Sequence, residues 1–222
     1  MNTDSEKIRQ EVIKRRISRL CHFTQSRKLP HILGELQGIY SIDTLVSSSP
    51  DLVDVNDPLR LDGQPNYICC SIEFPNTYFF QKAAIREKIF MDWVVLILKR
   101  ELIWKSDNKY SYRNAAAQPT PIGSGCGAFL KIYEDSVIGS GNRTFTRGRT
   151  QFDFCPTDVQ AEVLIKEVIP RQDIIKIGVA TEEQAKLEIK RLSLLKIDTD
   201  QLEFIIAPHM FDGSWVNLVK AG

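Results

Sequence analysis

A carboxylate at the boundary between a polar turn and an apolar run is the first candidate for chemistry. Glu162 follows the turn Pro156–Ala161 and precedes Val163–Ile165, a run typical of a buried strand. A charged group at the rim of a core has its ionisation and its hydrogen bonds set by its neighbours. Glu162 is therefore a candidate catalytic acid or base. The alternative is a glutamate paired with a surface cation.

A glycine-rich basic loop, Gly139–Arg149, lies just upstream of this carboxylate. Its cationic and aromatic side chains are Arg143, Phe145, Arg147 and Arg149. Guanidinium groups match phosphate oxygens with their forked donors, and aromatic rings stack on unpaired bases. The loop and the carboxylate together favour a site at which an anionic polymer meets a catalytic acid or base.

The charge of the whole chain restricts how such a polymer is bound. The 222 residues include 29 basic and 28 acidic side chains, for a net charge of +1. A protein that coats nucleic acid through charge alone needs a large positive excess, so a nucleic-acid site here must be a local patch. The length and the 43% hydrophobic content predict one globular domain over residues 1–222.

Cysteine usage and the apolar runs indicate the compartment. The chain has five cysteines, an odd number, and no Cys-x-x-Cys pair. This pattern predicts reduced thiols and no zinc or other metal site. The first residues, Met1–Lys7, lack the apolar core of a signal peptide, and Val94–Leu98 is too short to span a bilayer. We expect a cytoplasmic protein.

The elements that position these residues are strands with irregularly interleaved helices. Strand patterns occupy Ile17–Phe23, Gly38–Ile42, Tyr67–Ile72, Asp92–Leu98, Glu162–Ile165, Ile174–Val179 and Phe204–Ile206. Helical patterns occupy Ser5–Arg16, Thr24–Gly34, Tyr78–Lys88, Ala128–Glu134 and Glu182–Leu194. Ser47–Gln64 is loop-like, and Leu102–Gly127 is the least regular part. This mixture predicts an α+β architecture in which residues 1–16 form an N-terminal basic helix.

Five short motifs, in this order along the chain, resemble the DarT family of DNA ADP-ribosyltransferase toxins. They are Leu20–Thr24, Arg60–Gly63, Ile68–Ile72, Pro75–Tyr78 and Gln160–Leu164. The resemblance extends over roughly residues 17 to 206. It implies the ADP-ribosyltransferase fold, a split mixed β-sheet with an NAD⁺ cleft and surrounding helices.

The resemblance also implies a role for individual residues. Glu162 and Arg60 match the catalytic positions, with Arg60 meeting the pyrophosphate or the developing charge. The cofactor-binding positions are His22, Phe23, Thr24, Tyr78 and again Arg60. Four of these positions have an ordinary alternative: His22 as a core histidine, Thr24 as a helix cap, Tyr78 as a core aromatic and Arg60 as a surface loop residue.

A DNA-facing region is implied as well. Residues 136–161 correspond to the loop region that presents the substrate in this fold. Arg143, Phe145, Arg147 and Arg149 would then contact single-stranded DNA, and Asp153 or Asp158 is a candidate contact to the acceptor base. The basic helix at residues 1–16 is the next candidate for the DNA path.

The implied activity is that of a toxin of a toxin–antitoxin or phage-defence system. It transfers ADP-ribose from NAD⁺ to a base in single-stranded DNA and releases nicotinamide, and a macrodomain antitoxin reverses the modification. NAD⁺ is consumed as a substrate, so no glycine-rich dinucleotide fingerprint is needed. The motifs favour guanine as the acceptor over thymine. The alternatives are a protein or RNA acceptor, or a non-catalytic nucleic-acid-binding module.

Overall fold

The computed structural model describes residues 3–53, 61–117 and 121–221. The helices are α1 (Asp4–Lys14), α2 (Ile42–Ser48), α3 (Thr77–Arg86), α4 (Gly125–Lys131), α5 (Glu182–Leu194), α6 (His209–Asp212) and α7 (Trp215–Ala221). The strands are β1 (Arg19–Gln25), β2 (Gly38–Tyr40), β3 (Tyr67–Ile72), β4 (Trp93–Lys99), β5 (Lys109–Ser111), β6 (Ile122–Ser124), β7 (Ser136–Ile138), β8 (Thr144–Thr146), β9 (Glu162–Lys166), β10 (Val168–Pro170), β11 (Ile174–Val179) and β12 (Glu203–Ile206).

In these ranges, eight strands form one large sheet in the order β12-β11-β4-β1-β3-β9-β5-β6. Only the β11–β12 pair of that sheet is parallel, and every other pair of neighbouring strands in it is antiparallel. The pairs β2–β10 and β7–β8 form two small additional sheets. The mixed sheet with helices around it confirms the predicted α+β fold class.

The sheet is covered on both faces, which explains the continuous apolar run of β4. Alternate residues of a strand point to opposite faces. Val94, Leu96 and Leu98 belong to the main core together with Ile8 and Val12 of α1. Val95 and Ile97, on the other face, pack with Met210 of α6. Strand β4 is thus an interior strand between β11 and β1, as its sequence predicts.

The sheet divides between β1 and β3. Strand β1 pairs with β4 along all of Arg19–Gln25. With β3 it pairs only at Leu20↔Ile72 and Cys21↔Ser71. Beyond Cys21 the two strands diverge, and the opening between them forms a cleft lined by residues 21–24 on one side and 67–69 on the other.

Several sequence predictions hold along the chain, and others need correction. Helix α5 has the predicted bounds, Glu182–Leu194. The predicted helix Thr24–Gly34 is wrong in its first two residues, because Thr24 and Gln25 pair with β4 inside β1. The rest of that segment is a 3-10 turn at Ser26–Lys28 and one π-helical turn at His31–Glu35.

Two segments predicted to be irregular contain regular elements. The predicted loop Ser47–Gln64 overlaps the last residues of α2. Ser41 caps the N-terminus of this helix by accepting a hydrogen bond from the Thr44 N–H at 3.4 Å. The Leu102–Gly127 segment contains β5 and β6, whose three-residue lengths give too short a pattern to recognise. In the described ranges, no helix is long and apolar enough to cross a bilayer.

Candidate active site

Glu162 is a buried residue of the cleft wall, on a strand that is paired on both sides. It is the first residue of β9 and lies opposite Ser71 of β3 and Ser111 of β5. Its side chain lines the cleft, and the residue is only 8% exposed. The Ala115 N–H donates to its Oε2 at 2.9 Å. A carboxylate that receives a backbone hydrogen bond is stabilised in its charged form and held in one orientation.

A tight turn supplies that backbone donor. Asn114 Oδ1 accepts a hydrogen bond from the Ala116 N–H at 3.0 Å, and the Asn114 carbonyl accepts one from the Ala117 N–H at 3.0 Å. This side-chain-to-backbone pattern, typical of asparagine, directs the Ala115 N–H towards Glu162. Asn114 could not be recognised from the sequence, because it lies in the least regular part of the chain, Leu102–Gly127.

His22 lies on the other side of the cleft, where β1 leaves β3. Its Nδ1 lies 2.9 Å from the carbonyl oxygen of Cys69. A carbonyl can only accept, so Nδ1 carries the proton and, in the neutral ring, Nε2 is the acceptor nitrogen. The side chain is half-buried and spans the gap in which the backbone ladder has ended.

Phe23 and Thr24 line the same cleft. Thr24 is buried within β1 and is 3% exposed, so it is not the helix cap that the alternative required. Phe23 packs against three aromatic rings. Its ring centroid lies 6.0 Å from that of Phe79, 5.5 Å from that of Phe80 and 5.9 Å from that of Trp93. These contacts fix its ring at the wall of the cleft.

The structure separates Tyr78 from the cleft and brings its neighbour Phe79 to it. Asn76 caps α3 by accepting a hydrogen bond from the Phe79 N–H at 3.2 Å. In the first turn that follows, Tyr78 points outwards and is 53% exposed, while Phe79 lines the cleft. Phe79 therefore takes the position that the sequence assigned to Tyr78, and a shift of one residue along a helix is enough to make this change.

Arg60 lies outside the described residues. The chain just after it does reach the cleft, because Asp62 is buried there and is 7% exposed. Asp62 accepts a hydrogen bond from the Gln64 N–H at 3.0 Å, and the Cys69 thiol donates to its second oxygen at 3.5 Å. All five cysteines are unbridged.

The basic loop contains two kinds of arginine. Arg143 and Arg149 are exposed. Arg147 instead donates to the carbonyls of Cys155 at 2.6 Å and Phe152 at 2.9 Å, so its guanidinium braces the chain that follows the loop. Phe145 is half-buried, with the ammonium of Lys220 5.4 Å from its ring centre.

The two candidate aspartates differ in the same way. Asp153 is exposed. Asp158 is fully buried, and its Oδ1 accepts a hydrogen bond from the Gln160 N–H at 2.9 Å within the turn that leads to Glu162. Of the two, only Asp153 is exposed enough to reach a base bound at the surface.

The charges of α1 are largely compensated within the helix. Lys7, Arg9, Lys14 and Arg15 each lie within 4.0 Å of a carboxylate of Asp4, Glu6 or Glu11. Exposed pairs of this kind stabilise a helix only slightly, and they reduce its positive potential. The helix is therefore a weaker candidate for a phosphate-binding surface than the loop.

Comparison with known proteins identifies the class. Residues 21–212 match the family model described as ssDNA thymidine ADP-ribosyltransferase, DarT. Such an enzyme takes the ADP-ribose that it transfers from NAD⁺. The chain belongs to the DarT family. No curated protein sequence matches it.

Solved structures show the same fold at low sequence identity. Thermus sp. 2.9 DarT in complex with NAD⁺ has a TM-score of 0.58 and 13% identity, over 87% of this chain and 97% of that one. The same protein in complex with ADP-ribosylated ssDNA has a TM-score of 0.55 and 12% identity, over 88% and 97%.

A longer relative shares this fold as well. Thermosipho africanus DarTG in complex with ADP-ribose has a TM-score of 0.63 and 15% identity, over 87% of this chain. The match spans only 51% of the DarTG chain.

Proposed function

We propose that this protein transfers ADP-ribose from NAD⁺ to a base of single-stranded DNA and releases nicotinamide, within a single catalytic domain over residues 1–222. The observation that carries the proposal is the placement of Glu162 and His22 on opposite sides of one cleft, where β1 and β3 diverge. The family match over residues 21–212 supports the reaction class. The Thermus sp. 2.9 complexes with NAD⁺ and with ADP-ribosylated ssDNA support the two substrates.

Glu162 has the chemistry that this reaction requires. The glycosidic bond between nicotinamide and the ribose C1′ breaks, and its electron pair leaves with nicotinamide. Positive charge grows on the sugar, as in glycoside cleavage. A carboxylate close to the ribose stabilises that charge more strongly in the transition state than in the bound substrate. When a base nitrogen bonds to C1′, the same carboxylate takes the proton that this nitrogen loses.

The cleft walls would hold the nicotinamide riboside. Nε2 of His22 can accept a hydrogen bond from a ribose hydroxyl, because Nδ1 donates to the Cys69 carbonyl. Phe79 replaces Tyr78 in our proposal as the ring that stacks on nicotinamide, and Phe23 and Thr24 complete the wall. Arg60 remains the proposed partner of the pyrophosphate, since a guanidinium matches phosphate oxygens with its forked donors.

The acceptor base is the finer part of the proposal. The motifs of the sequence favour guanine, whereas the family description names thymidine. Thymine is therefore the first base to test, and guanine is the alternative. In either case a neutral base nitrogen is a poor nucleophile, so attack needs a proton acceptor within hydrogen-bond reach. The exposed Arg143 and Arg149 would bind phosphates of the strand, with Phe145 beside them.

We also propose a toxin role and a macrodomain antitoxin that reverses the modification, as the family resemblance implies. The match to Thermosipho africanus DarTG supports this pairing. Purified macrodomain protein should remove the modification from isolated DNA. Persistence of the adduct after that treatment would argue against the pairing.

The experiment that tests the function is mass spectrometry of oligonucleotides after incubation with NAD⁺. Single strands that lack thymine, strands that lack guanine, RNA and a protein pool are offered separately. The expected product is a DNA strand heavier by one ADP-ribose, with free nicotinamide. A control reaction contains the Glu162→Gln variant. Modification confined to the RNA or protein pool would show that DNA is not the acceptor, while the proposed cleavage of NAD⁺ in the cleft would still hold.

A further inference from the structure

The loop end of the β7–β8 hairpin is hydrogen-bonded to the segment that orients Glu162. Exposed Arg143 lies in the loop of this hairpin, and exposed Arg149 follows its second strand. Arg113 Nη1 donates to the carbonyls of Ile138 at 3.1 Å and Gly139 at 3.2 Å, the residues at which β7 turns into the loop. Arg113 is only 3% exposed, so it holds this junction from inside the protein.

Arg113 belongs to the same short segment that contacts Glu162. Two residues before it, Ser111 lies opposite Glu162 in the sheet, and its Oγ donates to the Arg113 carbonyl at 2.6 Å. Two residues after it, the Ala115 N–H donates to Glu162 at 2.9 Å. One segment of five residues therefore contacts the carboxylate through its backbone and the loop junction through the Arg113 side chain.

The junction is held from its other side as well. A Cβ added at Gly139 would lie 2.3 Å from Cδ2 of Phe145 and 2.5 Å from Oδ2 of Asp158. Such distances are far below van der Waals contact, so the ring and the carboxylate pack directly on the glycine. Asp158 is buried in the turn that leads into Glu162. The segment 111–115 and the turn before Glu162 thus both contact the start of the loop.

Burial decides between two roles for Arg113. An arginine that binds DNA must present its guanidinium to solvent, as Arg143 and Arg149 do. Burial of a guanidinium is costly unless hydrogen bonds offset its loss of hydration, and here Nη1 donates to two carbonyls. The contacts of Arg113 to the loop junction therefore serve geometry and not strand binding.

We propose that Arg113 is a positioning residue that fixes the acceptor loop relative to Glu162. The inference rests on the proposed function. Transfer requires the base nitrogen, the ribose C1′ and the carboxylate to meet in one geometry. Displacement of the acceptor by about 1 Å can cost about a hundredfold in rate. Cleavage of NAD⁺ by water needs no loop, so loss of Arg113 separates the two reactions.

The test compares two rates in Arg113→Gln and Arg113→Lys. One rate is ADP-ribose transfer to a single-stranded oligonucleotide, and the other is nicotinamide release without DNA. NAD⁺ affinity and melting temperature are measured beside them. We expect Arg113→Gln to lose about tenfold or more in transfer, with NAD⁺ affinity and nicotinamide release within about threefold of wild type. Arg113→Lys, which keeps a donor of similar reach, should recover part of the transfer.

A matched control comes from a second arginine that also donates to carbonyls. Arg171 donates to the carbonyls of Leu33 and Asp198, away from the hairpin. Arg171→Gln should affect both rates equally, if it affects them at all. Gly139→Ala provides an independent variant should Arg113→Gln fail to fold, because the added methyl displaces the same junction through Phe145 and Asp158. It should reproduce the selective loss of transfer.

The outcomes separate the two proposals. A wild-type chain that neither cleaves NAD⁺ nor modifies DNA would overturn the proposed function and this inference with it. Normal transfer by a folded Arg113→Gln variant would overturn the positioning role alone. So would an equal fall of transfer and nicotinamide release, since that result would make Arg113 a support of the cleft itself.

Discussion

The cleft and the basic loop place their functional side chains in opposite ways. Glu162 begins a strand that is paired on both sides, and a backbone N–H holds its carboxylate. Arg143 stands exposed in the loop between two three-residue strands, and Arg149 stands exposed just after the second of them. A reacting group needs one fixed geometry, whereas a phosphate contact tolerates several. The comparison therefore predicts large, local effects in the cleft and small, additive effects on the loop.

The largest effect should follow from Glu162→Gln. The amide preserves size and can still accept the Ala115 N–H, but it carries no charge and takes no proton. We expect transfer to fall by about a hundredfold or more, with NAD⁺ affinity nearly unchanged, because the lost interaction belongs to the transition state. Single-turnover kinetics measures the rate of transfer.

Glu203→Gln is the control for this prediction, since Glu203 is an exposed carboxylate on β12 that pairs with Lys176. It should leave transfer at the wild-type rate. Near-normal transfer by a folded Glu162→Gln protein would remove Glu162 from the reaction.

The next effect compares neighbouring aromatic residues of α3. Phe79→Ala removes a ring that lines the cleft, whereas Tyr78→Ala removes one that is 53% exposed. Stacking on a planar heterocycle contributes about 1–3 kcal/mol, so Phe79→Ala should weaken NAD⁺ binding by roughly tenfold. Tyr78→Ala should change it less than about twofold by the same reasoning. Calorimetric titration with NAD⁺ measures both affinities. A larger loss of affinity in Tyr78→Ala than in Phe79→Ala would make Tyr78 the ring that stacks on nicotinamide.

A smaller effect is expected from Arg143→Ala combined with Arg149→Ala. Loss of two phosphate contacts should weaken single-strand binding and reduce the salt slope by about 1.4, at about 0.7 per contact. NAD⁺ affinity should stay unchanged. Fluorescence anisotropy with a labelled oligonucleotide at several salt concentrations measures both quantities.

Arg147→Ala is the contrasting variant for the loop. It removes donors to two backbone carbonyls, so it should lower the melting temperature and leave the salt slope near the wild-type value. An unchanged slope in the double variant would instead direct the search for the DNA path to the basic side chains of α1.

The smallest effect concerns Glu87, a carboxylate with a structural role. Its oxygens accept hydrogen bonds from the Ile89 and Phe90 N–H groups and from Gln25, which lower its pKa from 4.5 to about 2. A carboxylate whose pKa is lowered in the folded protein stabilises the fold at a pH above its ordinary pKa. That contribution is lost as the pH falls from about 4.5 towards 2. The melting temperatures of wild type and Glu87→Gln should therefore converge across this interval. A constant difference would contradict it.

Much of the fold could be predicted from the sequence, because long periodic segments carry their own signal. Helix α5 has thirteen residues with a clear apolar face, and β4 is apolar along its buried length. The short strands β5 and β6 form only through pairing with β9 or with each other. Their local pattern is weak, so sequence reasoning left this region irregular.

The residue types of the candidate site could be predicted from the sequence, whereas the directions of the side chains could be predicted only in part. Glu162 and His22 lie on strands whose patterns place them at the sheet, and the structure brings both to one cleft. The exchange of Tyr78 for Phe79 depends on where Asn76 starts α3, which the weak helical pattern did not fix. The bracing role of Arg147 depends on a loop conformation that has no periodicity at all.

The fastened start of the basic loop also bears on how acceptor preference can diverge. Gly139 is enclosed by Arg113, Phe145 and Asp158, so substitutions there disturb several segments at once. Residues 141–144 are exposed and contribute little to the core. Mutations can therefore accumulate at the tip while the anchor and the reaction chemistry are preserved. Under our proposal that this loop presents the DNA strand, we expect exchange of that tip between family members to change the acceptor base.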